Sequence, residues 1–223
     1  MKPDIRISRE FGNLIPEFRA VAIYGCVKNS LQNNLLWKEI DEMSVWLREC
    51  LKLEDVNKQE AIQATRTAYK ILGKDPNRYR PSAEALCRRI VRNMDLYRIN
   101  TLVDLINLVS MRTGYSIGGF DADKIEGNLE LGVGAAGEIF HGIGRGPLNI
   151  EGLPVYRDRL GGIGTPTSDE ERTKLSPDSS RILIIINAFT AHGGLEIAKD
   201  YMIGLLKKYT EATELEIRMI GKE

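Results

Sequence analysis

Histidine is almost missing from these 223 residues: only His141 and His192 occur, beside three cysteines, Cys26, Cys50 and Cys87. The cysteines are odd in number, far apart and never in a CxxC pair, so no zinc site or disulfide framework is expected and the thiols read as free and buried in a reducing compartment. Neither histidine lies in a signature with serine or cysteine, and GxxxxGK[ST], GxSxG and HExxH are all absent. An excess of one charge is lacking too, with 31 basic against 31 acidic residues. Sequence-blind binding to a phosphate backbone draws its affinity from counterion release, so a neutral chain must rely on a local basic patch. Nor is there an apolar run near the ~18 residues of a membrane span, or an apolar core behind Met1-Lys2-Pro3-Asp4. A cytoplasmic protein without metal, cofactor or membrane partner is the expectation.

What is present reads as α+β: layered helices around a mixed, mostly antiparallel β core. Ile5-Arg6-Ile7 alternates like a strand and Phe11-Gly12-Asn13 reads as a turn. Ala20 to Val27 and Arg181 to Asn187 are apolar on successive residues, as strands buried on both faces are. Helical periodicity begins at Asn33 and places Leu35, Leu36, Ile40, Met43, Trp46 and Leu47 on one face. Further helices are expected over 59–72, 82–93, 101–113 and 195–209. Strands are expected at 117–120, 129–133, 139–140, 155–156 and 215–220. No repeat or linker divides the chain, so 1–223 reads as one domain. Gly132-Val133-Gly134-Ala135-Ala136-Gly137 matches GxGxxG, but Gly142, Gly144, Gly146 and Pro147 follow where a dinucleotide site needs a helix.

The informative stretch is Arg80 to Asp123. Pro81 and Ser82 make a helix start, with Ser82 as the cap and Arg88-Arg89 in the later half. In the helix over 101–113, Leu102, Leu105, Ile106 and Val109 cover one side and Leu108 and Met111 the other, so the helix is buried. Asn100, Asp104 and Asn107 form one polar stripe on it. Two readings stay open: Asn100 caps the helix while Asp104 and Asn107 tie down backbone, or the stripe lines a pocket and bonds a ligand. Ser168-x-x-Glu171 likewise reads as a capping box or as part of a pocket mouth, with Arg172 placed for a phosphate or carboxylate.

Arg80-Pro81-Ser82, Arg88-Arg89, Ile99-Asn100, Leu102-Val103-Asp104, Asn107, Gly114 and Phe120-Asp121 together resemble the B-three/four domain of the phenylalanyl-tRNA synthetase beta subunit. The likeness continues more loosely through Gly137-Glu138, residues 167–173 and 184–189. It implies an editing-domain-like core over 78–190, with an N-terminal strand and helix extension (1–77) and a C-terminal helix and strand (191–223). It also implies an aminoacyl-tRNA deacylase that binds aminoacyl-tRNA weakly and salt-sensitively, with no DNA partner, or alternatively a non-catalytic module for tRNA, an amino acid or a related small ligand. An activated ester needs little more than a placed water and a held carbonyl. On that reading Asn107 and Asp104 carry catalysis, and Asn100, Gly118, Gly119, Ser168, Asp169 and Arg172 bind substrate. The chain departs from the family at three places. Gly118 stands where the pattern has histidine, Tyr97 where it has arginine, and Pro166 near its glutamate.

Overall fold

Strand β2 (Arg19–Cys26) and strand β9 (Arg181–Ala188) pair antiparallel at the centre of the molecule, Ile23 opposite Ile184 and Ala22 opposite Ile185. Both are apolar on successive residues because each face meets a different layer. Val21, Ile23, Ile182, Ile184 and Ile186 point to a helical layer, whereas Ala20, Ala22, Tyr24, Leu183 and Ile185 point to a second sheet. The computed structural model describes residues 2–190 and 194–221, so His192 lies outside the described residues.

The main sheet has the order β10-β2-β9-β3, completed by β3 (Ser116–Asp121) and β10 (Thr213–Gly221) at its edges and antiparallel throughout. The second sheet runs β1 (Ile5–Ile7), β4 (Leu129–Val133), β7 (Pro154–Asp158), β8 (Gly161–Gly164), with β1 and β4 parallel. A small hairpin joins β5 (His141–Gly142) to β6 (Gly146–Pro147). The architecture is therefore α+β with a mixed, mostly antiparallel core. The first 77 residues contribute β2, an inner strand of the main sheet.

The helical layer consists of α2 (Asn34–Cys50), α4 (Ser82–Val91), α5 (Thr101–Thr113) and α6 (Leu195–Thr210). The helix α3 (Glu60–Ile71) contributes Ile62 to this layer and Ala68 to the core between the sheets. Asn100 caps α5 by accepting from the Val103 N–H at 3.1 Å, and Gly114 ends it in the left-handed conformation, φ 76°.

Several expectations are corrected. The segment at 9–14 is a short helix, α1 (Arg9–Leu14), because Ser8 caps it and Phe11 packs edge-on against Phe18 at 5.2 Å. Residues 139–140 form no strand. Leu35 and Trp46 are exposed, and Trp37 takes the buried place on α2. Of the three thiols only Cys87 is buried; Cys50 is exposed and Cys26 half-buried.

Candidate functional site

At the β3 edge of the main sheet the chain encloses a cavity of about 420 Å³, a size typical of small-ligand sites. One wall is α5, through Val103, Ile106, Asn107 and Ser110; another is the start of α4, through Ser82 and Leu86. Ile117 and Gly119 of β3 form the sheet side, and the loop over 165–177 closes the rest with Thr165, Ser168, Asp169 and Leu175. Most of the lining is apolar, with a few converging polar groups.

Gly119 makes the close approach possible. A Cβ there would lie 2.5 Å from Ile106 Cδ1 and 2.9 Å from Leu175 Cδ1, so any side chain would collide with the wall. The loop is fixed from two sides. The Thr165 hydroxyl accepts from the Thr167 and Ser168 N–H groups, and Pro166 C=O accepts from the Ser82 N–H at 2.8 Å. Tyr69 and Thr167 share a buried hydroxyl bond of 2.9 Å.

The stripe on α5 divides. Asn100 Oδ1 is spent on the Val103 N–H and on Asn29 Nδ2 at 3.1 Å, although the residue reaches the cavity lining. Asp104 turns away from the cavity: its carboxylate accepts from Trp37 Nε1 at 2.7 Å and from the Ile99 N–H at 3.1 Å. Burial pushes the Asp104 carboxyl up from its ordinary pKa, against the pull of these two donors and of Arg98. It is a buried tie between α2 and α5, not a group open to substrate. Asn107 lines the cavity and, unlike Asn100 and Asp104, has no side-chain hydrogen-bond partner among the described residues. The hydroxyls of Ser82 and Ser110 are likewise unpartnered there. Ser82 was expected to cap α4, but it is the first residue of the helix and Pro81 occupies the cap position.

Asp169 is the acidic group of the site, and Lys174 also lines it. Its Oδ2 accepts from the Gly119 N–H at 3.0 Å on the free edge of β3, and Oδ1 has no partner among the described residues. Enclosure raises its pKa to about 7, which the single N–H bond opposes only in part. A Cβ on Gly164 would lie 2.8 Å from Oδ1, and one on Gly118 3.3 Å, so glycines leave room for this carboxyl.

Two more expected positions fall outside the lining. Gly118 faces the other side of β3, where a Cβ would meet the Phe120 ring at 2.7 Å. Arg172 binds Asp158 through two bonds of 2.9 and 3.0 Å and donates to Lys124 C=O, so its guanidinium is occupied. Burial would raise the Asp158 pKa, but Arg172 and two backbone N–H groups hold it below the ordinary value. The expected capping box is also absent, because Glu170 caps the turn at 171–173. Among the described residues no group of three or more His, Cys, Asp or Glu side chains is placed to hold a metal ion. No described helix is long and apolar enough to cross a membrane.

The cavity is thus built by α4, α5, β3 and the loop that follows β8, and residues 64–203, which include all four, match the B3/4 domain family. The chain belongs to that family. The matched B3/4 region is wider than the 78–190 expected for the core, taking in part of α3 and much of α6. The whole fold is similar to the crystal structure of an N-terminal fragment of the phenylalanyl-tRNA synthetase beta-subunit from Pyrococcus horikoshii. That likeness has a TM-score of 0.51 at 15% identity and covers 98% of this chain and 51% of that one. The B3/4 protein described here therefore spans about half the length of that fragment, and at this identity the likeness concerns the fold. A search of curated proteins finds no match.

Proposed function

We propose that the cavity hydrolyses the ester of an aminoacyl-tRNA, acting in the cytoplasm. The observation that carries this reading is Asn107: a half-buried amide with no partner among the described residues, set into a mostly apolar cavity that also holds Asp169. The amide reaches solvent at the cavity, so its donor and its acceptor are both free to exchange water for a ligand group.

In this mechanism the amino-acid side chain lies among Val103, Ile106 and Ile117, and the ester carbonyl receives a hydrogen bond from the Asn107 amide. As the carbonyl becomes tetrahedral its oxygen gains charge, and a donor already in place stabilises that charge without reorganising. Asp169, through the oxygen not bound to Gly119, takes a proton from the attacking water. A pKa near 7 suits a base working at neutral pH. The proton then passes to the ribose oxygen as the ester bond breaks, leaving a free amino acid and a free terminal hydroxyl. Asn100, Gly119 and Ser168 shape the site around the substrate. At position 118, where the family pattern has histidine, a Cβ would lie 2.7 Å from the Phe120 ring and 3.3 Å from Asp169 Oδ1, so the glycine leaves room for the carboxyl that serves as the base.

The test is a panel of mischarged tRNAs, each incubated with the wild-type protein and with Asn107→Ala. The reading predicts faster deacylation than the spontaneous rate for at least one ester, and loss of most of it in the variant. A second reading, a non-catalytic module for tRNA or an amino acid, is favoured by one observation: the described cavity lining contains no histidine or cysteine. Saturable binding to the cavity without turnover would support it over the first.

A further inference from the structure

A second concavity of about 400 Å³ adjoins the cavity and shares Ser82, Leu86 and Asn107 with it. Its character is different. Arg80, Arg88, Arg89, Arg92 and Arg145 line it, and no acidic residue does. In a chain with equal numbers of acidic and basic residues, five guanidinium groups in one groove are a concentrated positive field.

The arginines are held in different ways. Arg88 donates to the fully buried Glu84 at 2.7 Å and Arg80 lies 4.0 Å from the same carboxylate, which also binds Arg66. One buried negative charge thus anchors three arginines and leaves a net positive balance. Arg89 is braced by Asp95 C=O at 2.5 Å and stacks over the Tyr97 ring at 4.3 Å. Arg92 and Arg145 are exposed and have no partner among the described residues. They stand on opposite sides, Arg92 just past the end of α4 and Arg145 in the β5–β6 hairpin.

We infer that this groove binds the phosphates of a single-stranded polynucleotide and delivers its 3′ end to Asn107. The identity of the group on that 3′ end rests on the function proposed above; the phosphate track does not. The groove follows α4, whose ten residues extend about 15 Å at 1.5 Å per residue. That length fits several phosphates and exceeds what one small phosphorylated metabolite would occupy. Guanidinium groups suit phosphate oxygens through paired N–H donors, and Tyr97 beside Arg89 offers an aromatic face for a base. The shared residues make the junction polar, so the terminal ribose passes from the charged groove to the mostly apolar cavity at Asn107.

The experiment is fluorescence anisotropy with the full chain and a short labelled RNA carrying a free 3′-hydroxyl, repeated across a salt series. About three neutralised phosphates give a slope of log K against log salt near −2 for a single strand. The double variant Arg92→Ala/Arg145→Ala, whose side chains make no hydrogen bond or ion pair among the described residues, is expected to bind roughly tenfold more weakly with a slope shallower by about 1.4. The same RNA bearing a non-hydrolysable, amide-linked amino acid is expected to bind more tightly. That gain should vanish in Asn107→Ala and persist in the arginine variant. An unchanged affinity and slope in the arginine variant would overturn the inference, as would a polyglutamate peptide binding as tightly as the RNA. Groove-dependent RNA binding without ester hydrolysis would leave the inference standing and remove the proposed enzyme activity.

Discussion

Replacing Asp169 by asparagine removes one titration and keeps the shape of the site, since the amide oxygen still accepts from the Gly119 N–H. In the unfolded chain this carboxyl ionises at its ordinary value of 3.8, whereas the folded cavity raises it to about 7. Between those two values the native state holds a proton that the unfolded state has lost. Stability therefore declines as pH rises through that window and levels off above it. The full difference is on the order of 4 kcal/mol, of which about 2–3 kcal/mol falls between pH 5 and pH 7. The asparagine variant lacks this decline. Urea unfolding of both proteins at pH 5 and pH 8 measures it: the variant should gain about 2–3 kcal/mol on the wild type over that range. Equal pH dependence in the two proteins would mean that the carboxyl is already ionised at pH 5 in the fold, which would refute the reasoning from enclosure. The same variant should lose deacylation, and the wild-type rate, corrected for spontaneous hydrolysis, should rise with pH through about 7.

Asp104→Ala should cost about 1–3 kcal/mol in urea unfolding, because it strands the Trp37 and Ile99 N–H groups, while leaving cavity affinity for an amino-acid amide within a factor of two. Glu84→Ala should destabilise the fold by about 3–5 kcal/mol in the same assay, leaving the buried Arg66 and the half-buried Arg88 without their carboxylate. Gly119→Val should fill the cavity from the sheet side, against Ile106 and Leu175; ligand binding measured by calorimetry should then fall at least tenfold, with secondary structure retained in circular dichroism.

Much of this architecture is legible in the sequence because local chemistry and tertiary packing agree. The bounds of α5 follow from its Asn100 cap and its Gly114 stop, and the double-faced burial of β9 follows from its unbroken apolar run. The misreadings arise where packing decides. Phe11-Gly12-Asn13 has turn chemistry, yet the Phe11 side chain seated against Phe18 holds it as helix. Gly118-Gly119 lies mid-strand, as expected over 117–120, but the space each glycine clears, for Phe120 on one face and for Ile106 on the other, is set by packing. The stripe of Asn100, Asp104 and Asn107 is real as a spacing, but a helix wheel cannot say which neighbour each residue meets. Asp104 meets Trp37, and only Asn107 is left open. The arginine groove has a partial signal in Arg88-Arg89 and Arg92, whereas Arg145 arrives from a hairpin more than fifty residues later and no spacing rule connects them.

The most direct measurement is single-turnover deacylation of mischarged tRNAs by the wild-type protein, Asn107→Ala and Asp169→Asn. Each rate is compared with the spontaneous rate at pH 7. The account predicts accelerated hydrolysis of at least one ester by the wild type and a loss of at least tenfold in each variant. Rates at the spontaneous level for every ester, or an Asn107 variant as active as the wild type, would contradict it.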